Sequence, residues 1–290
     1  MPASQKNFAN IVVAAHPQVE AALEEAKKLA TFLQAHGCQA MSGSLYDDAL
    51  RYRVKVRQTD LLIALGGDGT MLRAGHLCAP HKVPILGINM GRFGFLMEIR
   101  SHEWHNAIPK LLAGEYWVEP RMMLNAEQWR GDEKLGSWLV LNEVVVSRGQ
   151  IVRPVHLDAY VDQRFLSTYV ADGLIASTPT GSTAYALAVG GPILPPELRN
   201  ILLVPIAPHL SIDRAIVLAE GAAVSIVVHT DHQAVLSVDG QIPVEMADGD
   251  RVMVTASDHT VEFIRIQDPD YFYRNLTPHM NQNPALGSRR

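Results

Sequence analysis

The sequence predicts an α/β domain followed by an all-β domain. In the first part of the chain, short apolar runs alternate with segments of helical periodicity, as in a parallel sheet with helices on both faces. In the second part, short β-rich runs recur at roughly ten-residue intervals between turn signals, which is typical of a sandwich. At 290 residues the chain is long enough for two hydrophobic cores, so we expect two domains.

The first domain, residues 1–116, is predicted to contain a Rossmann-like parallel sheet. Apolar runs predict its strands: Ile11–Ala15, Cys38–Met41, Leu61–Leu65 and Val83–Asn89. Apolar residues at helical spacing predict the helices between the strands: Val19 to Leu33 with Gly37 as C-cap, about Gly69–Leu77, and Trp104–Leu112. The polar stretch before Leu61 carries no predicted element.

The second domain, residues 117–266, is predicted to be an all-β, sandwich-like unit. Its expected strands are Leu139–Ser147, Val155–Val161, Phe165–Val170, Leu174–Ser177, Ile201–Ala207, Ala223–Val228, Ala234–Val238, Arg251–Ala256 and Val261–Ile266. Turn signals such as Asp239-Gly240 separate these runs. Residues 267–290 form a C-terminal segment that we expect to return to the first domain. Its polar tail from Asn281 is predicted to be disordered.

Composition excludes several classes of protein. No uncharged apolar stretch of about 18 residues is present, so we expect no membrane span. Met1–Asn10 lacks the apolar core of a signal peptide. Cys38 and Cys78 do not make a disulfide framework, which favours a cytoplasmic protein. A net charge of -5 and the lack of a basic block disfavour nucleic-acid binding.

The first candidate motif is Gly66-Gly67-Asp68-Gly69-Thr70, directly after a buried strand. Glycines let a ligand approach the backbone closely, which suits phosphate groups. A carboxylate adds nothing to a bare phosphate cradle, so Asp68 would hold a metal ion or accept a proton. In the alternative interpretation it caps the following helix. Neither the P-loop pattern nor the dinucleotide-binding glycine pattern occurs in the chain.

Two further stretches carry polar groups in apolar surroundings. The first, Thr178–Tyr185, follows Asp172 and is rich in hydroxyl groups; it is predicted to enter a helix at Ser182 or Thr183. It would bind phosphate or sugar oxygens, or it would be a simple helix cap. The second is Asn142-Glu143 inside an apolar strand, where unpartnered polar groups are costly. On an alternating strand, one of the two would face water.

Together these stretches resemble the NAD kinase family. Gly66–Thr70, Asn142-Glu143 and Thr178–Tyr185 are similar to three signatures of that family, in order and spacing. Gly87–Leu96, reading GINMGRFGFL, and Ser237–Gln241 resemble further family segments. The resemblance covers roughly residues 8 to 276. The first signature alone is less specific, because diacylglycerol-type lipid kinases carry it too.

The resemblance implies transfer of a phosphoryl group from ATP, or from polyphosphate, to the 2′-hydroxyl of the adenosine ribose of NAD. It implies Mg²⁺ or another divalent cation as cofactor, NAD and ATP as small-molecule substrates, and a homodimer or homotetramer. It implies neither a nucleic-acid nor a membrane partner. Two alternatives stay open at this point: a lipid kinase of the diacylglycerol type, and a dinucleotide-binding regulatory module without catalysis.

The resemblance also implies roles for individual residues. Asp68 would be the catalytic proton acceptor, and Gly66, Gly67 and Thr70 would form the phosphate loop. The implied substrate contacts are Gly69 and Arg73 beside the dinucleotide or its phosphates; Phe95 against adenine; Asn142 and Glu143 at the ribose and base; Asp172 near the nicotinamide; Thr180, Thr183, Ala184, Tyr185 and Ala188 around adenine and ribose; and Arg153 and Gln241. No protein side chain is assigned as a metal ligand.

Two positions depart from the family pattern. Many bacterial members have an arginine where this chain has Val170, so a basic contact to the substrate or to a neighbouring subunit would be missing or would come from another residue. Phe93 stands where leucine is usual, and its bulk beside Phe95 would reshape the adenine pocket. Neither departure removes the chemistry that the family implies.

Overall fold

The computed structural model describes residues 8–91, 94–209, 211–274 and 276. Contacts between residues divide the chain into two compact units. The first unit combines the described residues up to Pro120 with those from Val261 onwards, and the second unit is Arg121–Thr260. The sequence-based boundaries at residues 116 and 266 stay predictions. Phe93 and the tail from Asn281 lie outside the described residues.

The first unit alternates strands and helices, as the sequence predicts. Its elements, in chain order, are β1 (Asn10–Ala15), α1 (Glu20–Ala35), β2 (Gln39–Ser44), α2 (Asp48–Lys55), β3 (Leu61–Gly66), α3 (Asp68–Cys78), a 3₁₀ turn (Ala79–His81), β4 (Ile85–Asn89), β5 (Ile99–Arg100) and α4 (Trp104–Leu112). The strands pair in parallel in the order β4-β3-β1-β2, with β5 beside β4. Parallel pairing puts the ends of β1, β3 and β4 at one edge of the sheet.

The apolar faces of the helices account for the core of the first unit. Helix α1 buries residues at helical spacing, among them Ala22, Ala26 and Leu33, against strands whose residues are buried on both faces. Fully buried strands of this kind are expected when helices cover both sides of a parallel sheet. Among the described residues, no helix is both long and apolar enough to cross a membrane.

The second unit is built from antiparallel strands. The strands, in chain order, are β6 (Trp117–Arg130), β7 (Glu133–Val140), β8 (Glu143–Arg148), β9 (Val155–Val161), β10 (Arg164–Ala171), β11 (Gly173–Ser177), β12 (Asn200–Ile206), β13 (Ile216–Ala219), β14 (Val224–His229), β15 (Ala234–Val238), β16 (Val244–Met246) and β17 (Arg251–Arg265). A short helix, α5 (Tyr185–Ala188), interrupts them. The long strands β6 and β17 contribute residues to both units.

Within the second unit, two sheets enclose one apolar core. One sheet has the order β13-β12-β11-β8-β15-β16, and the other contains β10-β9-β14-β17 with β6 and β7. The core contains alternate residues from both sheets, for example Val144 and Val146 of one and Leu157 and Ile226 of the other. Inward-facing residues from two sheets make the core of a sandwich. The predicted fold class, an α/β domain followed by an antiparallel β domain, is therefore confirmed.

Several elements differ from the sequence-based expectations, and the strands β5, β6, β13 and β16 were not predicted. Helix α2 was not predicted; it begins after Asp47, whose carboxylate accepts the Ala49 N–H at 2.8 Å. The expected strand Leu139–Ser147 is broken between β7 and β8. The last two expected strands are one continuous strand, β17, and its Phe263 pairs in parallel with Ile85 of β4.

Candidate functional site

The turn that follows β3 is shaped by packing between its first and last residues. Strand β3 ends at Gly66, Gly67 continues in extended backbone, and α3 begins at Asp68. A Cβ on Gly66 would lie 2.1 Å from Oγ1 of the buried Thr70, so a side chain cannot fit there. A Cβ on Gly67 would meet nothing within 4 Å. Gly66 and Thr70 therefore lie on the inner side of the turn, and Gly67, Asp68 and Gly69 on its more accessible side.

The carboxylate of Asp68 is held by backbone N–H groups from a distant loop. Phe95 N–H donates to Oδ2 at 2.9 Å and Leu96 N–H donates to Oδ1 at 3.2 Å. A Cβ on Gly94 would lie 2.1 Å from Oδ2, so glycine is what allows the loop to come this close. The N-cap of α3 is Gly67, and the interpretation of Asp68 as a helix cap is wrong. These two backbone N–H groups fix the orientation of the Asp68 carboxylate.

Gly69 and Arg73 lie on the exposed side of α3. They are four residues apart, which places them on one face of the helix. The guanidinium carbon of Arg73 lies 5.9 Å from the centre of the Tyr46 ring. A cation over an aromatic face is weakly attracted to it, so Tyr46 limits the positions of this exposed positive charge.

A buried ion pair supports the loop that binds Asp68. Arg265 Nη1 donates to the Leu96 carbonyl at 2.9 Å, and Arg265 Nε donates to Glu119 Oε2 at 2.7 Å. Both side chains are almost fully buried. Leu96 therefore lies between the two residues: its N–H donates to the Asp68 carboxylate, and its carbonyl accepts a hydrogen bond from the buried Arg265. Nothing in the spacing of the motifs predicts this contact, because Arg265 lies 169 residues after Leu96.

The carboxyl group of Glu98 binds the backbone that follows β17, where the chain is again part of the first unit. Glu98 Oε1 accepts the N–H groups of Ile266 and Gln267, and the Gln267 side-chain amide donates to the Glu98 carbonyl at 3.1 Å. The hydroxyl of Tyr271 donates to the Met97 carbonyl at 3.4 Å. Burial is the main cause that raises the pKa of Glu98 above its ordinary value. The described residues after Val261 thus pack on the segment that follows Leu96.

In the second unit, Asn142 and Glu143 are both buried, at 9 % and 7 % exposure. The expectation that one of them faces water is wrong. The reason is that the two do not belong to one continuous strand: β8 begins at Glu143, and Asn142 lies in the break before it. The N–H groups of Leu141, Asn142 and Glu143 all donate to the Asp239 carboxylate, at 2.7, 2.8 and 2.9 Å.

The side chains of Asn142 and Glu143, which are adjacent in sequence, each carry a buried acceptor atom. Within the described part of the protein, Asn142 Oδ1 and Glu143 Oε2 are buried without a hydrogen-bond partner. Burial of the carboxyl group, followed by the negative charge of Asp239, raises the pKa of Glu143 to about 8, although the Tyr185 N–H lowers it. Buried acceptors without donors cost free energy. A ligand that supplies N–H or O–H donors would remove that cost.

The Thr178–Tyr185 turn uses several of its hydroxyl groups to hold itself together. Thr178 Oγ1 donates to the Leu141 carbonyl at 2.6 Å and accepts the Gly181 N–H at 3.1 Å. Ser182 Oγ donates to the Pro179 carbonyl at 2.6 Å. Ser182 and Thr178 are fully buried, so these two hydroxyls serve the structure of the turn. The helix start expected at Ser182 or Thr183 is instead a 3₁₀ turn over Gly181–Thr183, followed by the four-residue helix α5.

This turn packs directly on the Asn142–Glu143 segment. Thr178 N–H donates to the Asn142 carbonyl at 2.8 Å, and a Cβ on Gly181 would lie 2.3 Å from that same oxygen. Thr180 Oγ1 accepts a hydrogen bond from the buried Arg121 at 3.2 Å. The structure thus brings two of the predicted motifs together within the second unit. The more accessible residues of the turn are Thr183, Ala184 and Tyr185, and Ala188 at the end of α5 is exposed.

Asp172 lies between β10 and β11 and has a basic partner. Arg148 Nε lies 3.0 Å from Asp172 Oδ1, and both side chains are partly buried. Val170, where many family members have arginine, sits in β10 and accepts the His209 N–H on its carbonyl at 2.7 Å. Asp172 thus has a basic partner, Arg148, which the sequence motifs did not indicate. The expectation about the basic contact at position 170 stays a prediction.

Arg153 and Gln241 are exposed on connections of the second unit. Arg153 N–H donates to the Ile151 carbonyl at 2.9 Å, and Gln241 N–H donates to the Val238 carbonyl at 2.9 Å. These are contacts with sequence neighbours, so they do not link either residue to Asn142 or Glu143. Across the described residues, no cluster of three or more His, Cys, Asp and Glu side chains is arranged to hold a metal ion.

Comparison with family models gives a match for most of the chain. The ATP-NAD kinase N-terminal domain matches residues 11–116, and the ATP-NAD kinase C-terminal domain matches residues 141–266. The first range contains Gly66–Thr70. The second begins immediately before Asn142 and also contains Thr178–Tyr185.

Curated relatives align over most of the chain. An NAD kinase of Chloroflexus aggregans is 38% identical over 94% of this chain and 99% of the relative. An NAD kinase of Heliobacterium modesticaldum is 43% identical over 79% of this chain and 81% of the relative.

Solved structures share the fold. Yeast NADH kinase complexed with NADH aligns with a TM-score of 0.83 at 24% identity, covering 99% of this chain and 90% of the yeast chain. An NAD kinase from Archaeoglobus fulgidus in complex with ATP aligns with a TM-score of 0.76 at 23% identity, covering 94% and 98%. At these identities the likeness concerns the fold.

Proposed function

Because the chain belongs to the ATP-NAD kinase family and phosphorylates NAD with ATP as donor, we propose that Asp68 orients the 2′-hydroxyl of the adenosine ribose and accepts its proton. The resemblance drawn from the motifs is confirmed, and neither the lipid kinase nor the regulatory module is favoured by the relatives. The observation that carries the proposal is the Asp68 carboxylate, held by two N–H groups at the carboxyl end of β3. Ligands of parallel sheets bind at such ends.

Phosphoryl transfer depends on positioning and charge stabilisation more than on covalent work by the protein. The ribose oxygen forms a bond to the γ-phosphorus of ATP while the bond from that phosphorus to the bridging oxygen breaks. ADP leaves with the electron pair of the broken bond, and the hydroxyl proton passes to Asp68. An ordinary carboxylate is a weak base for an alcohol, so holding the hydroxyl in line contributes more than basicity does.

In the second unit, we assign recognition of adenosine to Asn142 and Glu143. Their buried acceptor atoms need donors, and adenosine offers an amino group and ribose hydroxyls. The remaining predicted contacts are kept as part of the proposal: Gly66, Gly67, Thr70, Gly69 and Arg73 toward phosphates; Phe95, Thr180, Thr183, Ala184, Tyr185 and Ala188 toward adenine and ribose; Asp172, Arg153 and Gln241 toward the rest of NAD.

The residues present fit a magnesium ion that arrives with ATP. Mg²⁺ in kinase sites is commonly held by one or two carboxylates together with substrate phosphates. Asp68 is a partly accessible carboxylate at the carboxyl end of β3, held by two backbone N–H groups, so it would be the protein ligand. When bound, the ion neutralises negative charge on the phosphates. Asp68, held by its loop, keeps the ribose hydroxyl oriented toward them.

The direct test is to incubate the pure protein with NAD, ATP and Mg²⁺ and to measure NADP. We expect NADP to form, and to depend on the divalent cation. Binding of NAD without turnover would overturn the proposal and would favour the regulatory module. Parallel reactions with NADH and with polyphosphate determine acceptor and donor preference, and a diacylglycerol reaction tests the lipid kinase alternative.

We also propose a homodimer or homotetramer in the cytoplasm. Exposed apolar side chains in the second unit support association: Ile242 is 92 % exposed and Val152 is 80 % exposed. Both cysteines, Cys38 and Cys78, are free thiols, in keeping with a reducing compartment. Light scattering of the purified protein measures the mass. A monomeric mass at working concentration would contradict the proposed assembly.

A further inference from the structure

Asp239 lies in the turn between β15 and β16, and its carboxylate is bound to a segment 96 to 98 residues away in sequence. Oδ2 accepts the Leu141 N–H at 2.7 Å, and Oδ1 accepts the N–H groups of Asn142 and Glu143 at 2.8 and 2.9 Å. In return, the Asp239 N–H donates to the Glu143 carbonyl at 2.9 Å. Four hydrogen bonds therefore join this one residue to three consecutive residues.

We propose that Asp239 is a positioning residue for NAD recognition, because its carboxylate fixes the backbone from which the Asn142 and Glu143 side chains project. The inference rests on the proposed function and deepens it. Asp239 belongs to the Ser237–Gln241 segment that resembles the family, but neither the three family signatures nor the predicted substrate contacts include it.

The backbone geometry explains why a carboxylate is needed at this position. Three successive N–H groups point toward one acceptor, so the chain around Asn142 cannot continue the alternating pattern of a strand. That break lets both Asn142 and Glu143 be buried, whereas a regular strand would turn one of them to the opposite face. Charge-assisted hydrogen bonds to N–H groups are roughly twice as strong as neutral ones.

Asp239 also acts on Glu143 through its charge. Among the described residues, two groups act on the ionisation of the Glu143 carboxyl besides its burial: the Asp239 carboxylate in the β15–β16 turn, and the Tyr185 N–H at the start of α5. The first disfavours ionisation of Glu143 and the second favours it. Removing the charge of Asp239 should therefore move the titration of Glu143 to lower pH, an effect that a purely structural contact would not have.

The test variant is Asp239→Asn. Asp239 has φ of 47° and precedes Gly240 with φ of 66°, and an Asn-Gly pair suits such a turn at least as well as Asp-Gly. The turn should thus survive, while the amide cannot accept all three N–H groups. We expect the KM for NAD to rise roughly 10- to 100-fold, with a smaller change in kcat. The midpoint in the pH profile of kcat/KM for NAD should move to lower pH.

Asp250→Asn is the matched control. Asp250 also lies in a turn of the second unit and is fully buried, and it accepts hydrogen bonds from Arg130 at 2.8 Å and from the Ala247 N–H at 2.9 Å. Its loss should lower thermal stability and leave the KM for NAD and the pH midpoint unchanged. Equal effects of both variants on stability, with no change in KM or in the midpoint for Asp239→Asn, would overturn the inference.

Two further variants complete the test. If Asp239→Asn does not fold, Asp239→Glu keeps the charge but displaces the carboxylate, and it should raise KM while leaving the pH midpoint in place. If neither variant folds, Asp239 is required for folding and the positioning role is rejected. In a Glu143→Gln background, Asp239→Asn should still raise KM but no longer shift the midpoint. Wild-type NADP formation is measured in the same series, so failure of the proposed function is seen separately.

Discussion

The carboxyl groups of Asp68 and Glu143 differ in their exposure and in the groups that surround them. Asp68 is partly accessible and accepts a backbone N–H on each oxygen. Glu143 is buried, faces another carboxylate and has its pKa raised to about 8. Environments that separate the properties of two carboxyl groups are a common basis for assigning different roles. We assign the reacting hydroxyl to Asp68 and recognition of adenosine to Glu143.

The closeness of Gly94 to Asp68 gives a prediction about activity. In Gly94→Ala the new Cβ would lie 2.1 Å from Asp68 Oδ2, so the carboxylate or the loop must move. Misplacement of a catalytic group by about 1 Å can cost roughly 10²-fold in rate. We therefore expect kcat to fall by about that factor, measured by NADP formation. Gly91→Ala in the same loop is the control, because its Cβ would meet nothing within 4 Å. Equal activities of the two variants would refute the proposed role of Gly94.

Burial of Glu143 predicts how stability depends on pH. The folded protein has this pKa raised from 4.5 to about 8, so between those values it keeps a proton that the unfolded chain has released. The free energy of unfolding should then fall as pH rises through this range. Glu143→Gln cannot titrate. Compared by urea unfolding at about pH 5 and about pH 8, the variant should gain stability relative to wild type as pH rises. A constant difference would show that Glu143 titrates normally.

Sequence patterns predicted the bounds of strands and helices correctly where the burial pattern within the element itself determines its structure. Strands β9 and β15 have the predicted bounds, Val155–Val161 and Ala234–Val238, because their burial alternates along the strand. Helix α2 was missed because it is mostly polar and buries only Leu50 and Val54. The break after β7 could not be predicted, since a residue about 100 positions away creates it.

The residues of the candidate site also fall into two groups: those that the sequence motifs predicted, and those that only the folded structure reveals. Residue type and motif spacing were enough to single out Asp68 and the Asn142–Glu143 pair. They could not reveal Gly94, Asp239 or Arg265, whose contacts with those segments exist only in the folded chain. A motif names the group that performs chemistry, whereas the groups that hold it in place depend on tertiary structure.

The buried pair behind the loop 94–96 gives a prediction at this scale. Arg265→Met removes the guanidinium that pairs with the buried Glu119, and breaking a buried pair costs roughly 3–5 kcal/mol. The double variant with Glu119→Leu should recover much of that stability, because no unpaired charge remains. The exposed pair Arg274–Asp268 is the control, and Arg274→Ala should cost about 1 kcal/mol or less. Denaturant unfolding measures all three; equal losses for Arg265→Met and Arg274→Ala would contradict the account.

At the scale of the whole molecule, each unit has its own core and its own share of the functional residues. The first unit holds Asp68 at the carboxyl edge of a parallel sheet. The second holds Asn142, Glu143 and the Thr178–Tyr185 turn in an antiparallel sandwich. The parallel strands supply an edge at which a loop can bind a carboxylate. The antiparallel sheets supply buried segments that can be locked by hydrogen bonds from several turns.

The most direct test of the central claim compares wild type with Asp68→Asn in NADP formation from NAD, ATP and Mg²⁺. General-base and orienting groups typically contribute about 10²- to 10⁴-fold. We predict a loss of kcat in that range, with an unchanged circular dichroism spectrum and with NAD still bound. A variant that folds normally and keeps near-native turnover would contradict the assignment of Asp68.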